Sequence, residues 1–388
     1  MDEVRVGVIG IGNVGSSHSR RLADGEIEGA TLAAVCDINP ARLEWSKQNL
    51  SGEFETFEDA AEMMESGAVD AVVIATPHYD HPPLAIKGFE AGLHVLTEKP
   101  AGVYTRQVKE MNQAAAESDR VFAIMFQQRT GPVYRKLKDL IDSGDLGELL
   151  RIDWITTAWY RTQRYYDSGG WRATWEGEGG GILMNQCPHD LDMLQWLFGM
   201  PERLRATCFY GKYHDIEVED EVFATMEYPN GAIGTFKAGT GEAPGTRRLE
   251  VFCERGKLVL EGDLKLWRTR TPVPEHLQTS QQSFGKPECW ECSIPVGRQS
   301  GPGHAIVLSR FVQAIKGEGE LVARGEEGLK GVALADAMLL SSWSGDAWVE
   351  IPFDDDLFYE KLQEKIQASS GKARQVQDTV EDLEESYH

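Results

Sequence analysis

The chain has 388 residues, 41% hydrophobic and 26% charged, with a formal net charge of −23. Such a length suits two or three domains with ample core, and no apolar stretch approaches the roughly 20 residues that a spanning helix needs. The charge repels phosphate backbones and anionic membranes, which argues against nucleic-acid and lipid partners.

The acidic start, Met1-Asp2-Glu3, runs into a strand pattern rather than a secretory signal. Val4 to Ile9 reads as a buried strand, followed at once by Gly10-Ile11-Gly12-Asn13-Val14-Gly15 and a helical pattern from Ser16 to Ala23. A second apolar run, 31–36, ends at Asp37, and a helix follows from Pro40 to Gln48. Further strands are expected at 71–75, 94–96 and 121–124, with helices near 58–66, 82–91 and 104–118. This alternation predicts βαβ units and a parallel sheet.

The pattern changes after about residue 125. Longer strands are expected at 149–157, 223–228, 233–238, 249–253 and 257–260, several alternating apolar with polar residues. That alternation suits an antiparallel sheet covered on one face. Pro229-Asn230-Gly231 and Glu254-Arg255-Gly256 read as hairpin turns. Helices are expected at 132–143, 188–198, 304–316 and 328–343, and 272–303 reads as a loop around a short strand. The chain therefore divides into an α/β nucleotide-binding domain with a parallel sheet over 1–125 and a second α/β domain over 126–353. The second is built on a large, mainly antiparallel open sheet, and a charged extension follows over 354–388 with a peripheral helix and a flexible end. An open sheet leaves a face needing cover, so a homodimer or homotetramer is expected. The six scattered cysteines suit free thiols in a reducing cytoplasm.

A strand before, a helix after and an acid at the next strand's end give the glycine pattern its meaning. Gly10 permits the tight turn, Gly12 lets a pyrophosphate approach the backbone, and Gly15 lets the helix pack closely. Asp37, 22 residues beyond Gly15, is placed to accept from ribose hydroxyls. Its charge repels a 2′-phosphate, and Ile38-Asn39 offers no compensating cation, so NAD is favoured over NADP. Glu98-Lys99-Pro100 closes the strand at 94–96. A lysine there points into the crevice where open α/β sheets bind ligands, and the following proline leaves its bond able to be cis.

With these motifs the chain resembles the Gfo/Idh/MocA family of oxidoreductases, which includes glucose–fructose oxidoreductase and inositol dehydrogenases. The residues carrying the resemblance are the Gly10–Gly15 turn, Ala75-Thr76-Pro77-His78 with His81, Glu98-Lys99-Pro100, and the run from Gly179 through Asn185 to His189 and Asp192. The resemblance covers residue 4 to about 353. It implies nicotinamide-dependent hydride transfer at a carbon of a sugar, anhydrosugar or cyclitol. In that pattern Lys99 hydrogen-bonds the reacting hydroxyl, His189 is the acid/base, and the Lys99-Pro100 bond is cis. Thr76, Pro77, His81, Glu98, Lys99 itself, Gln127 and Arg172 are assigned to the cofactor, with Ile11, Asn13 and Val14 of the turn.

One position departs from the inositol-dehydrogenase pattern, which carries an aspartate four residues before the histidine. Here it is Asn185, which can bond substrate hydroxyls or the lysine but cannot accept a proton. Asp192, one turn beyond His189, either orients that histidine or caps and meets solvent.

The segment 154–175 interleaves seven Trp and Tyr residues with Arg161, Arg164 and Arg172. It suits either a sugar-binding wall or plain packing of the sheet and a subunit contact. Trp171 and Tyr160 are its candidates for substrate contact, beside Asn185 and Asp192 from the run that leads into and past His189. His304 either reaches the pocket or caps the helix it opens. Cys289-Trp290-Glu291-Cys292 has the spacing of half a zinc site but lacks a second pair, so no metal is expected. Two alternatives use the same residues: a glycosidase acting through transient sugar oxidation and elimination, and a non-catalytic regulator that binds NAD and a sugar.

Overall fold

The computed structural model describes residues 3–297 and 301–369, organised by two sheets. The first is parallel and takes β1 (Val4–Ile9), β2 (Ala30–Cys36), β3 (Glu55–Phe57), β4 (Ala71–Ile74), β5 (His94–Thr97) and β6 (Phe122–Ile124). Their order is β3-β2-β1-β4-β5-β6. β4, Ala-Val-Val-Ile, is buried throughout because helices cover both faces of the sheet. Strand order reverses between β1 and β4, and the loops leaving their carboxyl ends diverge there to open a crevice. β3 had no counterpart in the sequence reading, being three residues long with no fully buried position.

The second sheet takes β7 (Leu149–Thr156), β8 (Arg203–Tyr210), β9 (Glu219–Glu227), β10 (Ile233–Gly239), β11 (Arg247–Cys253), β12 (Gly256–Glu261), β13 (Asp263–Thr269), β14 (Cys289–Ser293) and β15 (Val349–Glu350). The order is β14-β13-β12-β11-β7-β10-β9-β8-β15, and only the β7–β10 pair is parallel. Both expected hairpins form, β9 to β10 and β11 to β12, with Gly231 at φ 81° and Gly256 at φ 144°. β8 and β13 escaped the sequence reading because charged residues on their outer face break up the apolar runs. The 272–303 region, expected as a loop around a short strand, also holds a helix, Val273–Thr279, none of whose residues is buried.

Helices Pro188–Phe198 and Gly328–Trp343 cover the inner face of the second sheet. On its outer face Phe209, Phe223 and Ile233 stay exposed among ion pairs such as Arg151–Glu250 and Arg248–Glu261. A late segment returns to the first sheet. Val307, Leu308, Phe311 and Val312 of helix Gly303–Lys316 pack against Val4, Val6, Val8 and Ile11. Helix Asp355–Ala368 buries Phe358 and Leu362 in the second domain's core, while residues 370–388 lie outside the described residues. Among the described residues no helix is long and apolar enough to cross a membrane.

The glycine run before helix Pro188–Phe198 is held from β9. Fully buried Glu219 accepts at Oε1 from the N–H groups of Gly181 at 2.9 Å and Leu183 at 3.0 Å. A Cβ on Gly181 would lie 2.0 Å from the Glu219 carbonyl, and one on Gly179, at φ +80°, would lie 2.1 Å from Val103. Contacts this close admit only glycine.

Phe311→Ala is expected to cost about 3–5 kcal/mol in urea unfolding of the whole chain, because the ring fills the core of the first domain from a segment near the chain's end. A loss below about 1 kcal/mol would separate that helix from the first domain's stability. Burial lifts the Glu219 carboxyl to about 7 against the pull of its backbone N–H donors. The folded state then holds this proton more tightly than the unfolded chain does, so the contribution to stability falls as pH rises from the ordinary carboxylate range through 7. Glu219→Gln keeps the acceptor oxygen and cannot ionise. Its stability relative to the parent should improve between about pH 5 and pH 8, by roughly 3 kcal/mol. Parallel stability curves across that range would contradict the assignment.

Candidate active site

Gly10, at φ 88°, turns the chain out of β1, and a Cβ there would meet the Ala75 carbonyl at 2.7 Å. A Cβ on Gly15 would come within 1.8 Å of the Gly10 carbonyl, whereas one on Gly12 would meet nothing within 4 Å. Helix Asn13–Ala23 starts at this open spot with no side chain capping it. Its first N–H groups therefore point into free space, the arrangement that receives phosphates. Val14 lies in the helix's first turn and Ile11 is fully buried. The Asp37 carboxylate stands at the end of β2 and accepts from Ile11 N at 2.6 Å and Asn39 N at 2.8 Å. It thus ties the glycine turn to the second strand while remaining half-buried at the crevice.

The loops after β4 and β5 form the next wall. The Lys99-Pro100 bond is cis. His81 is buried, with Nδ1 2.7 Å from the Pro100 carbonyl and Nε2 2.9 Å from the Thr76 carbonyl, so it braces one loop against the other. Pro77 follows Thr76 in that loop and precedes the turn His78–Asp80. Glu98 Oε1 lies 2.7 Å from His18 Nε2, with His304 packed 5.7 Å from the His18 ring. Burial alone would raise the Glu98 carboxyl, but the His18 hydrogen bond and the charges of His18, His304 and Lys99 bring it down to about 2. His304 does not cap its helix; burial pushes its imidazole down to about 4 beside this carboxylate.

Lys99 crosses from the first domain to the second, where its Nζ donates to the Asn185 main-chain carbonyl at 3.1 Å. Burial lowers the affinity of Lys99 for its proton, and the Glu98 charge opposes that. His189 stands in the first turn of helix Pro188–Phe198, its Nε2 3.0 Å from Gln127 Nε2. If that amide nitrogen donates, His189 Nε2 is the acceptor and Nδ1 carries the proton. Burial first, then the Lys99 charge, hold His189 well below the ordinary histidine range and so neutral. His189 Nδ1, Gln127 Oε1 and Thr76 Oγ1 are buried with no protein partner. Buried polar atoms of this kind call for a ligand or water.

Asp192 does not orient His189, nor does it meet solvent. It is buried and accepts from Arg129 Nε at 2.9 Å and Nη2 at 2.6 Å, with Gln195 Nε2 at 2.8 Å. A bidentate guanidinium is the stronger partner. Gln127 occupies the place beside the imidazole instead.

Within 154–175 the aromatics divide. Trp154, Trp159, Tyr166 and Trp175 are core residues. Tyr160 is 50% exposed, and its carbonyl accepts from Arg161. Trp171 meets His78 edge-on at 5.5 Å, and the Arg172 guanidinium lies 4.7 Å from the Trp171 ring and 4.8 Å from that of Tyr165. Tyr165, not singled out from sequence, donates to Asn185 Oδ1 at 3.3 Å and accepts from Arg172 Nη1 at 2.9 Å. Glu178 and His18 were also missed. A charge pattern gives no sign of Glu178, though its place directly before the glycine run could have suggested it. His18 lies on the third residue after the Gly15 helix turn and carries no motif. Cys289 and Cys292 lie in β14, where residues three apart face opposite sides of the strand. Among the described residues no group of three or more His, Cys, Asp or Glu could hold a metal.

Residues 4–126 match the family described as oxidoreductase family, NAD-binding Rossmann fold, and residues 134–259 match the GFO/IDH/MocA C-terminal domain. An inositol 2-dehydrogenase 4 from Saccharopolyspora erythraea is 37% identical over 269 residues, covering 67% of this chain and 74% of that one. The scyllo-inositol 2-dehydrogenase (NAD(+)) of Bacillus subtilis is 27% identical over 266 residues, 66% of this chain and 74% of its own. The WlbA dehydrogenase from Bordetella pertussis, solved with NADH and UDP-GlcNAcA, superposes with a TM-score of 0.75 at 27% identity, covering 91% of this chain and 100% of that chain. The open, uncapped glycine turn and the orphaned polar atoms fit the dinucleotide that this first domain binds. With the parallel sheet ordered 3-2-1-4-5-6 ahead of a large antiparallel one, the chain belongs to the Gfo/Idh/MocA family of NAD-binding oxidoreductases.

Proposed function

We propose that the protein oxidises, reversibly and with NAD, a secondary hydroxyl on a sugar, anhydrosugar or cyclitol, with Lys99 and His189 handling the hydroxyl. The observation that carries this reading is that Lys99 Nζ from the first domain reaches the Asn185 carbonyl, one helical turn before His189, whose imidazole is held neutral by burial and by the Lys99 charge. The relatives' activities on inositols support a polyhydroxylated substrate.

NAD, when bound, supplies the acceptor for the hydride that leaves the carbinol carbon. The chain's own residues deal with the proton. Lys99 donates a hydrogen bond to the reacting oxygen and stabilises its developing negative charge in a dry site. His189, held neutral, takes the hydroxyl proton at Nε2, the hydroxyl replacing Gln127 as its hydrogen-bond donor, and returns it in the reverse direction. Asp37 would hold the adenosine ribose hydroxyls, and the uncapped helix start would hold the pyrophosphate. Thr76, Gln127 and Arg172 line the remainder of the cofactor groove. Trp171 and the Asn185 amide face the substrate. The exposed Phe209, Phe223 and Ile233 on the outer sheet face support self-association through that face.

Lys99→Ala and His189→Ala should each lower turnover by roughly 10²- to 10⁴-fold while NADH binding, followed by its fluorescence, survives. The assay is a panel of inositols, pyranoses, anhydrosugars and aryl glycosides, followed for both NADH and aglycone. Near-normal turnover in either variant removes that residue from the chemistry, and aglycone release without net NADH would replace the dehydrogenase reading with a glycosidase. Asp37→Asn keeps an acceptor for Ile11 N and loses the charge. It should lower the preference for NAD over NADP in kcat/KM by about tenfold or more. An unchanged ratio would take cofactor choice away from Asp37.

A further inference from the structure

Glu178 is 1% exposed and has so far been given no role. Its Oε1 accepts from Asn185 Nδ2, and its Oε2 accepts from Ala173 N at 2.6 Å. Arg172 Nη1 stands 4.0 Å from Oε1. Asn185 Oδ1 in turn accepts from Tyr165 Oη, which accepts from Arg172 Nη1. Four side chains thus close a ring: Glu178, Asn185, Tyr165, Arg172. The main-chain oxygen of that same Asn185 is the acceptor for Lys99 Nζ.

A carboxylate in such a place is costly, and a packed apolar side chain would cost less. The cost is offset only if its charge and both acceptor oxygens are used. Glu98, the other carboxylate at Lys99, is already engaged by His18 and by the Lys99 N–H. Residue 185 is an amide and brings no charge. We propose that Glu178 is the positioning carboxylate of the Lys99 site, fixing the Asn185 amide and supplying the negative charge that faces the ammonium from the second domain. The proposal rests on the role given to Lys99 above.

The surrounding charges agree. Burial pushes Lys99 down and Glu178 up, and each group's charge opposes the shift of the other. Arg161 and Arg172 face Lys99 from the aromatic segment and Glu98 from its own loop, and the Lys99 charge acts on His78 and His189. Toward Glu178 stand Arg172 and Lys99, with Glu219 behind the glycine run and Tyr166 beside it. Of these carboxylates, only Glu178 bonds a residue that itself bonds Lys99 Nζ.

The test reads Lys99 directly. The full-length protein, without any sugar, is treated briefly with acetic anhydride across a pH series, and acetylation of Lys99 is followed by peptide mass spectrometry against exposed Lys87. Glu178→Gln keeps an acceptor for Asn185 and loses the charge, so the Lys99 midpoint should fall by about one pH unit. Tyr165→Phe opens the ring without changing charge and should leave the midpoint in place. Glu178→Ser leaves space for a small anion, and added formate should raise its lowered midpoint toward the parent value. This also serves if the Gln variant does not fold. A Gln-variant curve that superposes on the parent, or a Ser-variant curve that formate does not move, overturns the proposal. Because no substrate is involved, absence of sugar turnover would count against the dehydrogenase reading alone.

Discussion

The hydrogen bond from Lys99 Nζ to the Asn185 carbonyl joins two independently built layers. Lys99 owes its position to a parallel strand and the cis peptide after it. Asn185 owes its own to a glycine run pressed so tightly against β9 and Val103 that side chains at 179 and 181 would collide with backbone or branched carbon. Because the acceptor is main chain rather than side chain, the ammonium is placed by the fold itself. The rest of the site is arranged around that point: His189 one turn further along, Gln127 beside it, and the Arg172–Tyr165 pair bonded to the Asn185 side chain through the Tyr165 hydroxyl.

Electrostatics in the crevice run against the protein as a whole. A chain of net charge −23 brings Arg161 and Arg172 of the second domain close to Lys99 of the first. Burial tends to discharge Lys99 and His189 alike, and the outcomes differ because their neighbours differ. At Lys99 the charges of Glu98 and Glu178 oppose burial, whereas at His189 the Lys99 charge adds to burial and outweighs Glu98. One environment therefore opposes the discharge of a base, and the other holds a base neutral and free to accept a proton.

Elements with a local cause were legible in sequence. The glycine turn follows from a strand that must reverse sharply, the two hairpins from Gly231 and Gly256, and the start of the His189 helix from Pro188. Lys99, His189 and Asp37 carried motifs and could be named. β8, β13 and the early start of β9 could not, since Glu219 and Asp220 are acids that only a buried hydrogen-bond network makes compatible with a strand interior. Asp192 illustrates the same limit. Helical spacing brings it near His189, but Arg129, 63 residues away, is what it binds.

Sequence by itself determined the NAD-binding parallel-sheet domain, through the short-range geometry of its glycine turn, and its motifs singled out Lys99, His189 and Asp37 by their likeness to the family. Tertiary structure alone decided which groups surround them. The return of helix Gly303–Lys316 to the first sheet, the His18–Glu98 pair and the Glu178–Asn185–Tyr165–Arg172 ring all join residues by burial and charge compensation. Those forces act through space and leave no periodic trace along the chain.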